Sequence, residues 1–565
     1  MSDATPVGTP AFPFSPTLDT RREQMFPRLD RMEIERVARF GVAQSYRRGE
    51  FLAKVGDPGP GLRVVLSGSV DVSQRLAGGR SMPIVTHHAG GFLGELAQLS
   101  GRPSLVDAVA KSDVETLLIS PQSLRALLIA EADLGQKVMR ALILRRVGLI
   151  ETGGGGPVII GPAGDANVLR LEGFLTRNGH PVTHLDSDSD PCARTLIEQF
   201  EVTPGDLPIV LCPGGQLLHN PTEGALARCI GLVRAIDSGR IYDVAIVGAG
   251  PAGLAASVYA ASEGLEVLTL DCRAFGGQAG ASARIENFLG FPTGISGMAL
   301  MGRAFTQAQK FGVEMAIPDE ALRLECPSPG DDGFHTLTLA NGERARSRAV
   351  VIATGAQYRR LENVGVERFE GVSIHYWASP LEARLAAGQA VAVIGGGNSA
   401  GQAAVFLAGH ASEVTIIVRR PLAQTMSRYL IERIASQPNI RIIEHAEVAA
   451  LDGQEHQLRE VRWRRKGGGE EHSLAASQLF LFIGADPNTG WLARTGVVLD
   501  PRGFVVTGQD AGPDKLPLES SRPGIFAVGD VRSGSVKRVA AAAGDGAQVI
   551  AAIHAFLARK EPVDG

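Results

Sequence analysis

The 565-residue chain is poor in several residue types, and each shortage excludes a class of protein. Cysteine occurs five times without Cys-x-x-Cys spacing, which excludes a disulfide-built scaffold and a four-thiolate zinc cluster, so reduced thiols and no metal are expected. The net charge of −4 excludes a strongly basic nucleic-acid binder. Because neither a long apolar run nor a signal sequence is visible, we expect a cytoplasmic protein without a membrane span.

The length predicts three or four domains, and changes in sequence texture suggest where they begin. Residues 1–20 carry four prolines and predict a disordered tail. Residues 21–150 combine short β-like runs, broken by glycine, with helical periodicity, which predicts a small barrel with helices. The four glycines in residues 151–156 predict a linker. Residues 157–237 then read as strand, helix, strand, helix, hairpin and helix.

The sharpest motif lies in residues 241–271, where a buried strand runs through a glycine-rich turn into a helix. Gly248 permits the tight turn, Gly250 lets the backbone approach a pyrophosphate, and Gly253 lets the helix pack closely on the strand. The helix N-terminus supplies N–H donors and a partial positive charge for phosphates. Asp271 ends the next strand, where a ribose-binding carboxylate belongs. The segment therefore predicts a dinucleotide site.

A second glycine-rich turn, Gly395-Gly396-Gly397, joins a strand to a helix that begins with Asn398-Ser399-Ala400. The strand that follows ends in Arg419-Arg420 instead of an acid. A carboxylate there would repel a 2′-phosphate, whereas a guanidinium binds one with two hydrogen bonds. This turn predicts a nicotinamide dinucleotide site that prefers NADPH. The other reading is a pair of solvated arginines at a strand end.

A third segment, residues 524–550, places Gly529-Asp530 after a strand and before an alanine-rich helix. Asp530 is placed to hydrogen-bond a polyol chain. The helix starts near Val539-Ala540, so its dipole would stabilise negative charge on a reduced ring.

Together these segments resemble the low-molecular-weight thioredoxin reductase family over residues 240–565. The resemblance implies FAD and NADPH as cofactors and a homodimer. It also implies an FAD domain in two parts, 240–358 and 487–565, with an NADPH domain at 359–486 between them. The FAD-binding residues implied are Gly248, Gly250, Pro251, Ala252, Gly253, Asp271, Gly276, Gly277, Gln278, Asn287, Thr354, Gly355, Gly529, Asp530, Arg538, Val539 and Ala540. The NADPH-binding residues implied are Gly395, Gly397, Asn398, Ser399, Ala400, Arg419 and Arg420.

The sequence departs from that family at its redox-active dithiol. Trp377 and Pro380 occupy the two cysteine places, and neither side chain forms a thiolate or a disulfide. Dithiol transfer to thioredoxin is therefore not expected. Trp377 either covers the flavin face or packs in the core. His375 either faces the flavin or is a packing histidine. No protein acid or base is strictly required, because hydride passes directly from nicotinamide to flavin.

Residues 157–237 resemble a thioredoxin or glutaredoxin fold, and Leu207-Pro208 matches the cis-proline of that family. A redox-active member would carry cysteines after the first strand, where this chain has Gly161-Pro162-Ala163-Gly164. We expect a structural or docking adaptor, with Cys212 as a small buried hydrophobic residue.

Residues 92–97 resemble the phosphate-binding cassette of cyclic-nucleotide-binding domains. The glutamate that accepts from the ribose in that family is Glu95 here. The family's arginine after the cassette proline is replaced by Ser104, and Arg102 would leave the opposite side of an extended strand. The nucleotide-contacting residues implied are Gly94, Glu95, Leu96, Arg102 and Ser104. The barrel either binds a cyclic nucleotide, binds another small ligand, or is degenerate.

The order of modules resembles bacterial cyclic-nucleotide-binding, thioredoxin reductase-like FAD-dependent oxidoreductases. The predicted fold is multidomain, with a β-barrel and helices, a thioredoxin-like α/β domain, and two Rossmann-like domains. The predicted function is an NADPH-dependent flavin oxidoreductase. Its acceptor is left open between a quinone, a ferredoxin- or flavodoxin-like carrier, and dioxygen. The alternative function is a redox sensor that binds FAD and NADPH without efficient turnover.

Overall fold

A computed structural model describes residues 21–75, 81–94, 103–152, 156–200, 202–213, 216–233, 236–327, 333–362 and 364–560. The predicted tail at 1–20 and part of the predicted linker, residues 153–155, lie outside these ranges. The chain divides into two compact units. One unit holds the barrel and most of the thioredoxin-like module, and the other holds the two dinucleotide-binding folds.

The barrel of the first unit consists of two four-stranded antiparallel sheets. Their inner faces bury apolar side chains, among them Val65 and Val70, each 0% exposed, whereas the neighbouring Val64 packs on the opposite face against the helices. In spatial order, one sheet contains Val42–Tyr46, Val114–Ile119, Leu62–Ser67 and Phe92–Leu93, and the other contains Phe51–Ala53, Asp107–Ala110, Ser69–Arg75 and Ser81–His88.

Among the described residues, four helices accompany the barrel: Arg22–Met25, Arg31–Ala38, Pro121–Ala130 and Ala132–Thr152. Ser120 caps the third of them by accepting from the backbone N–H of Ser123 at 3.1 Å. Its leucines, including Leu124 and Leu127, recur at helical spacing and are fully buried against the barrel strands. The predicted barrel with helices is thus present.

The thioredoxin-like module has a four-stranded sheet in the order Thr183–Asp186, Val158–Gly161, Ile209–Leu211 and Leu217–His219. The first pair is parallel and the other two pairs are antiparallel, and the Leu207-Pro208 peptide is cis. Its helices are Ala166–Arg177, Pro191–Gln199 and Glu223–Cys229. The last helix ends at Cys229, because Ile230 leaves the helical conformation and a turn follows.

The expectation that all cysteines are thiols is wrong for Cys212 and Cys229, which form a disulfide with their Cα atoms 6.3 Å apart. Cys212 follows the strand Ile209–Leu211 and Cys229 ends the last helix, so tertiary packing brings them together. Leu211 pairs with Val158, the first residue of its strand. The disulfide therefore lies at one end of the strands, and residues 161–164, where the thioredoxin family has its active cysteines, lie at the other end.

The first dinucleotide-binding fold has a seven-stranded sheet with helices on its faces. Val244, Ile246 and Val351 face one core, while Ala245 and Val350 face another, so both sides of the central strands are buried. Six strands follow the spatial order Glu314–Ala316, Val267–Leu270, Ile241–Val247, Arg344–Ile352, His335–Leu339 and Ala321–Glu325, and Ile525–Ala527 pairs in parallel with Arg344–Ile352. The helices are Pro251–Ser262, Gly277–Gly280, Gly297–Lys310 and Val539–Lys560.

The C-terminal helix is apolar enough to raise the question of a membrane span. Among the described residues, Val539–Arg559 is the one segment whose length and composition would allow a helix to cross a membrane. Val549 and Ile553 of this helix are 0% exposed and belong to the core on the sheet of the first fold. This packing accounts for the apolar composition.

The second dinucleotide-binding fold has five parallel strands in the order Ile374–His375, Gln478–Leu481, Ala390–Ile394, Glu413–Val418 and Ile440–Glu444. Its helices are Pro380–Leu385, Asn398–Ala408 and Arg428–Ala435. A three-stranded antiparallel sheet covers it, formed by Ala446–Gln454, Gln457–Arg465 and Glu471–Ala475. The antiparallel ribbon of Ala356–Tyr358 and Ala485–Pro487 lies where the chain passes between the two folds.

Candidate active site

The predicted glycines of the first fold form a cradle that side chains would fill. Gly248 has φ +113°, and a Cβ there would lie 2.2 Å from the carbonyl oxygen of Ala353. A Cβ on Gly253 would lie 1.8 Å from the Gly248 oxygen, so the helix approaches the strand as the motif requires. Gly250 faces Gly277, whose Cβ would lie 3.1 Å from the Gly250 Cα. The close approach of these two bare backbones fits a pyrophosphate lying along them.

Asp271, the predicted ribose carboxylate, also organises the turns around it. One carboxylate oxygen accepts from the Ala249 N–H at 2.9 Å, inside the glycine-rich turn. The other accepts from the N–H groups of Arg273 and Ala274 at 3.0 and 3.1 Å. Asp271 thus connects the two loops that form the cradle.

Two residues that the sequence analysis missed hold the predicted FAD segments in place. Asn488 and Thr354 exchange hydrogen bonds: the Thr354 hydroxyl donates to the Asn488 carbonyl at 2.8 Å, and the Asn488 amide donates to the Thr354 carbonyl at 2.9 Å. Asp545 accepts from the Gly529 N–H at 3.1 Å and pairs with Arg532 at 3.2 Å. No local motif marks either residue: Asn488 is 134 positions from Thr354, and Asp545 lies 16 positions after Gly529, within the C-terminal helix.

Asp530, the predicted polyol ligand, follows Gly529 in a turn where Gly529 has φ +71°. Burial raises the pKa of the Asp530 carboxyl above its ordinary value, while the nearby Lys537 ammonium opposes the rise. Lys537 donates to the Asp530 carbonyl oxygen at 2.5 Å and so fixes the turn. A half-buried carboxyl at this position suits hydrogen bonding to hydroxyl groups.

Other predicted FAD residues have different surroundings. Pro251 begins its helix and Ala252 is buried in the core, while Gly276 and Gly355 have left-handed φ values of +93° and +63°. The Gln278 amide donates to the Ala356 carbonyl. Asn287 is exposed. The carbonyl of Arg538 accepts from Ala542, so Arg538 precedes the helix that begins with Val539 and Ala540.

A carboxylate in the segment before Asn287 connects the two folds. Glu286 forms an ion pair with Arg433 of the second fold, and Arg284 lies 3.6 Å from the same carboxylate. The Arg433 side chain is 42% exposed, so this contact is partly screened by water.

The nicotinamide-site turn has the same backbone features as the first cradle. Gly395 has φ +138°, and a Cβ there would lie 2.3 Å from the Phe482 carbonyl oxygen. Asn398 accepts from the Ser427 N–H at 2.7 Å and donates to its hydroxyl at 2.9 Å. Gly397 precedes the helix, Ser399 is exposed in its first turn, and Ala400 is fully buried. The backbone N–H groups of this turn are thus fixed at the end of the sheet where the strand Ala390–Ile394 finishes.

Arg419 and Arg420 follow the strand Glu413–Val418, and both are exposed. Neither has an ion pair or hydrogen bond within the described part of the chain. Two free guanidinium groups at the end of the second strand match the place where a 2′-phosphate binds in such folds.

The segment that replaces the dithiol is closed by hydrogen bonds around Glu382, which is 5% exposed. The Trp377 indole N–H donates to this carboxylate at 2.8 Å, and the Ser379 N–H donates to it at 2.9 Å. Pro380 starts the short helix, and the Arg273 guanidinium lies 5.8 Å from the Trp377 ring centroid. The segment offers packing and hydrogen bonds but no thiol.

His375 lies in the sheet of the second fold. Its Nε2 atom lies 2.6 Å from the Gln478 amide oxygen, and its ring lies 5.0 Å from that of Phe480. Burial lowers the pKa of His375, so the ring is neutral at pH 7. This environment is that of a packing histidine.

In the barrel, only part of the predicted nucleotide site is described. Gly94 has φ +141°, and the Ser104 hydroxyl donates to the Val106 carbonyl at 2.8 Å. Glu95, Leu96 and Arg102 lie outside the described residues. Within the described ranges, no group of three or more His, Cys, Asp or Glu side chains is arranged to hold a metal ion.

The two folds and their glycine-rich turns define a protein that binds two dinucleotides. Residues 242–546 match the pyridine nucleotide-disulphide oxidoreductase family, and the chain belongs to that family. Residues 43–131 match the cyclic nucleotide-binding domain. These matches bear out the resemblance and the fold class predicted above, and thioredoxin reductases use FAD and NADPH.

Two groups of characterised proteins are similar to the second unit. The chain is 32% identical to thioredoxin reductase of Streptomyces coelicolor over 56% of this chain and 94% of that protein. It is 30% identical to one component of the alkyl hydroperoxide reductase of Escherichia coli over 56% of this chain, but it spans only 58% of that protein. Thioredoxin reductase of T. acidophilum has a similar structure, with a TM-score of 0.52 and 29% identity over 56% of this chain and 99% of that one.

Proposed function

We propose that this chain is an NADPH-dependent flavin oxidoreductase that delivers electrons to an acceptor other than a thioredoxin-type disulfide. Bound FAD would supply the redox chemistry by taking a hydride from NADPH and releasing two electrons to the acceptor. The observation that carries the proposal is the pair Trp377 and Pro380 at the family's two cysteine positions.

The residues of this chain support binding and orientation of both cofactors. The glycine cradle around Gly248 and Gly250 gives a pyrophosphate backbone N–H donors at a helix N-terminus. Asp530 would hydrogen-bond the polyol chain, and the N-terminus of the helix that begins at Val539 would stabilise negative charge on the reduced flavin. The exposed Arg419 and Arg420 side chains supply the contacts that distinguish NADPH from NADH.

In this proposal, the segment around Trp377 forms an aromatic wall of the flavin site that carries no redox-active group. Its indole is fixed by Glu382, and the cation–π contact with Arg273 joins it to the first fold. An aromatic wall excludes water and offers a stacking surface, whereas a dithiol would offer a covalent route. A quinone, a small electron carrier or dioxygen therefore suits the site better than a protein disulfide.

An acceptor screen on the purified yellow holoprotein tests the proposal. NADPH oxidation is followed with thioredoxin plus a chromogenic disulfide, with ferricyanide, with a water-soluble quinone and under air. We expect turnover with at least one of the last three and none with thioredoxin. Efficient thioredoxin reduction would contradict the proposal, and flavin reduction without turnover on any acceptor would favour the sensor alternative.

A control variant separates the remaining disulfide from the flavin route. Cys212→Ser/Cys229→Ser removes the one disulfide found among the described residues. The proposal expects this variant to reduce ferricyanide or quinone at the wild-type rate. A large loss of that activity would mean that electrons pass through the disulfide.

A further inference from the structure

The disulfide between Cys212 and Cys229 joins two sulfur atoms that differ in their access to solvent. Cys212 is 3% exposed, whereas Cys229 is half-buried at the end of the helix Glu223–Cys229. A thiolate from solution therefore reaches the Cys229 sulfur but not the Cys212 sulfur. Because thiol–disulfide exchange depends on which sulfur is attacked, this bond has a defined direction of opening.

The reduced form of this pair has partners ready in the structure. The Cys229 Sγ atom lies 3.4 Å from the Gln216 amide oxygen, which accepts a hydrogen bond from a thiol at that distance. The Cys212 backbone N–H already donates to the Gln216 carbonyl at 2.8 Å. Leu226 and Ala227 of the helix are 0% exposed, so the core holds this helix without the disulfide. We therefore expect the module to stay folded when the bond opens.

The turn after Cys229 is hydrogen-bonded to the helix that the disulfide holds. Gly231 has φ +69°, and its N–H donates to the Arg228 carbonyl at 3.1 Å. The Leu232 N–H donates to the Ala227 carbonyl at 2.8 Å. Helices commonly end in this way, with a left-handed glycine just after the last turn. A shift of the helix end therefore carries the turn with it.

The same turn packs against the barrel, within the first unit. A Cβ on Gly231 would lie 2.4 Å from the Pro103 Cγ atom, so the backbone of the turn is in close contact with that ring. Pro103 bridges to Pro58, and its neighbour Ser104 lines a cavity inside the barrel. The Ser104 N–H donates to the Asp57 carbonyl at 2.9 Å. The turn therefore contacts a segment that forms part of the cavity wall.

The segment that resembles a phosphate-binding cassette is held at its other end by groups that a thiol does not change. Arg145 donates to the carbonyls of Phe92 and Gly94, each at 2.9 Å. Burial, together with the Arg145 guanidinium, lowers the pKa of His87, which also lines the cavity, to about 3, so His87 is neutral at pH 7. This end is therefore constant near neutral pH, whereas the Pro103 end contacts a turn that depends on a disulfide.

We propose that the Cys212–Cys229 disulfide is a reversible redox site through which small-molecule thiols of the glutathione class control the barrel. The disulfide form holds the helix end and its turn against Pro103, and the dithiol form releases them. The oxidised and reduced proteins therefore differ at the cavity wall, and the ligand site of the barrel responds to the thiol state of its surroundings.

The exchange is balanced in atoms and electrons. A thiolate attacks the Cys229 Sγ atom, the S–S bond breaks, and Cys212 leaves as a thiolate that takes up a proton. A second thiol attacks the mixed disulfide and releases Cys229 as a thiol. Two thiols are thus oxidised to one disulfide, while the protein pair gains two electrons and two protons. NADPH and the flavin take no part, so the proposal stands or falls independently of the proposed function.

Counting of alkylated cysteines by mass spectrometry tests the exchange on the oxidised holoprotein in glutathione buffers at pH 7, without NADPH. Samples are quenched with acid and alkylated in denaturant, so that burial does not hide a thiol. We expect Cys212 and Cys229 to gain label together as the fraction of reduced glutathione rises, while the free thiol of Cys192 is labelled throughout. A pair that stays unlabelled in fully reduced glutathione would overturn the proposal.

Hydrogen exchange then tests the coupling to the barrel. The reporters are the N–H groups of Gly56 and Ser104, since the first donates to the Ser104 carbonyl at 2.9 Å and the second to the Asp57 carbonyl. We expect both to exchange at least about threefold faster in the reduced protein, and the strand Val42–Tyr46 to stay unchanged. Cys212→Ser/Cys229→Ser should show the faster exchange in both buffers. Unchanged reporters in protein shown to be reduced would refute the coupling.

Pro103→Ala separates the contact from the disulfide, because it removes the ring atom that Gly231 meets and leaves the cysteines intact. We expect the reporters of this variant to exchange fast in both redox states, while the thioredoxin-like sheet still responds to glutathione. Pro83→Ala, at an exposed position of another barrel strand, is the matched control and should keep the wild-type response. A full barrel response in Pro103→Ala would contradict the proposed route.

Discussion

The preference for NADPH is attributed to two exposed arginines, and removing both gives a quantitative prediction. Each contact between Arg419 or Arg420 and a 2′-phosphate is charge-assisted, but both side chains are exposed, so about 1 kcal/mol each is appropriate. Arg419→Gln/Arg420→Gln should then lose about 2 kcal/mol of NADPH binding, which is about 30-fold in the dissociation constant. NADH lacks the phosphate, so its binding should change by less than about twofold.

Stopped-flow reduction of the holoprotein over a range of NADPH and NADH concentrations gives both constants. Arg462→Gln/Arg464→Gln is the matched control, since it removes the same charge from the three-stranded sheet. Loss of binding for both coenzymes, or an unchanged NADPH constant, would refute the assignment of these arginines. An equal loss in the control would show that only the overall field of the protein matters.

Three further predictions concern other parts of the chain. Cys212→Ser/Cys229→Ser removes a disulfide that joins positions 17 residues apart and should lower the stability of the thioredoxin-like module by about 3 kcal/mol. Hydrogen exchange should show weaker protection of its sheet in the variant than in the wild type without reductant, and equal protection of the two when a reductant has opened the disulfide. Glu286→Gln removes the carboxylate that Arg433 contacts. A half-exposed pair is worth up to about 1 kcal/mol, so the rate of flavin reduction should change by at most about fivefold at an unchanged NADPH constant. His87 has a folded pKa of about 3 against 6.5 unfolded, so the unfolded state binds the proton first and stability falls as pH drops below about 6.5. The loss between pH 7 and pH 5 should be about 2 kcal/mol by denaturant titration and should be absent in His87→Gln. A strengthened NADPH constant in Glu286→Gln, or an unchanged pH profile in His87→Gln, would count against these two assignments.

The glycine-rich turns could be predicted because a single local sequence carries the backbone requirement. At Gly248 and Gly395 the local motif requires a backbone with positive φ, whereas the carbonyl oxygens of Ala353 and Phe482, which leave no room for a Cβ, come from the ends of distant strands. Asn488 and Asp545 could not be found this way, since neither is adjacent in sequence to the turn that it holds. The environment of Arg145 also depends on carbonyls from two distant segments.

Cysteine pairing also could not be predicted from the local sequence. The absence of close spacing indicated free thiols, yet a strand end and a helix end bring Cys212 and Cys229 together. The presence of Trp377 and Pro380 in place of two cysteines, by contrast, was visible in the sequence, because the neighbouring motif fixes the positions at which the dithiol would lie.

The most direct test of the account is the number of reducing equivalents that the holoprotein accepts without oxygen. A flavin coupled to a dithiol takes up four electrons per chain, whereas a flavin with no sulfur partner takes up two. We expect one equivalent of NADPH, titrated anaerobically, to bleach the flavin fully, with no new thiols revealed by alkylation. A requirement for two equivalents, with thiols appearing as the flavin is reduced, would contradict the central claim.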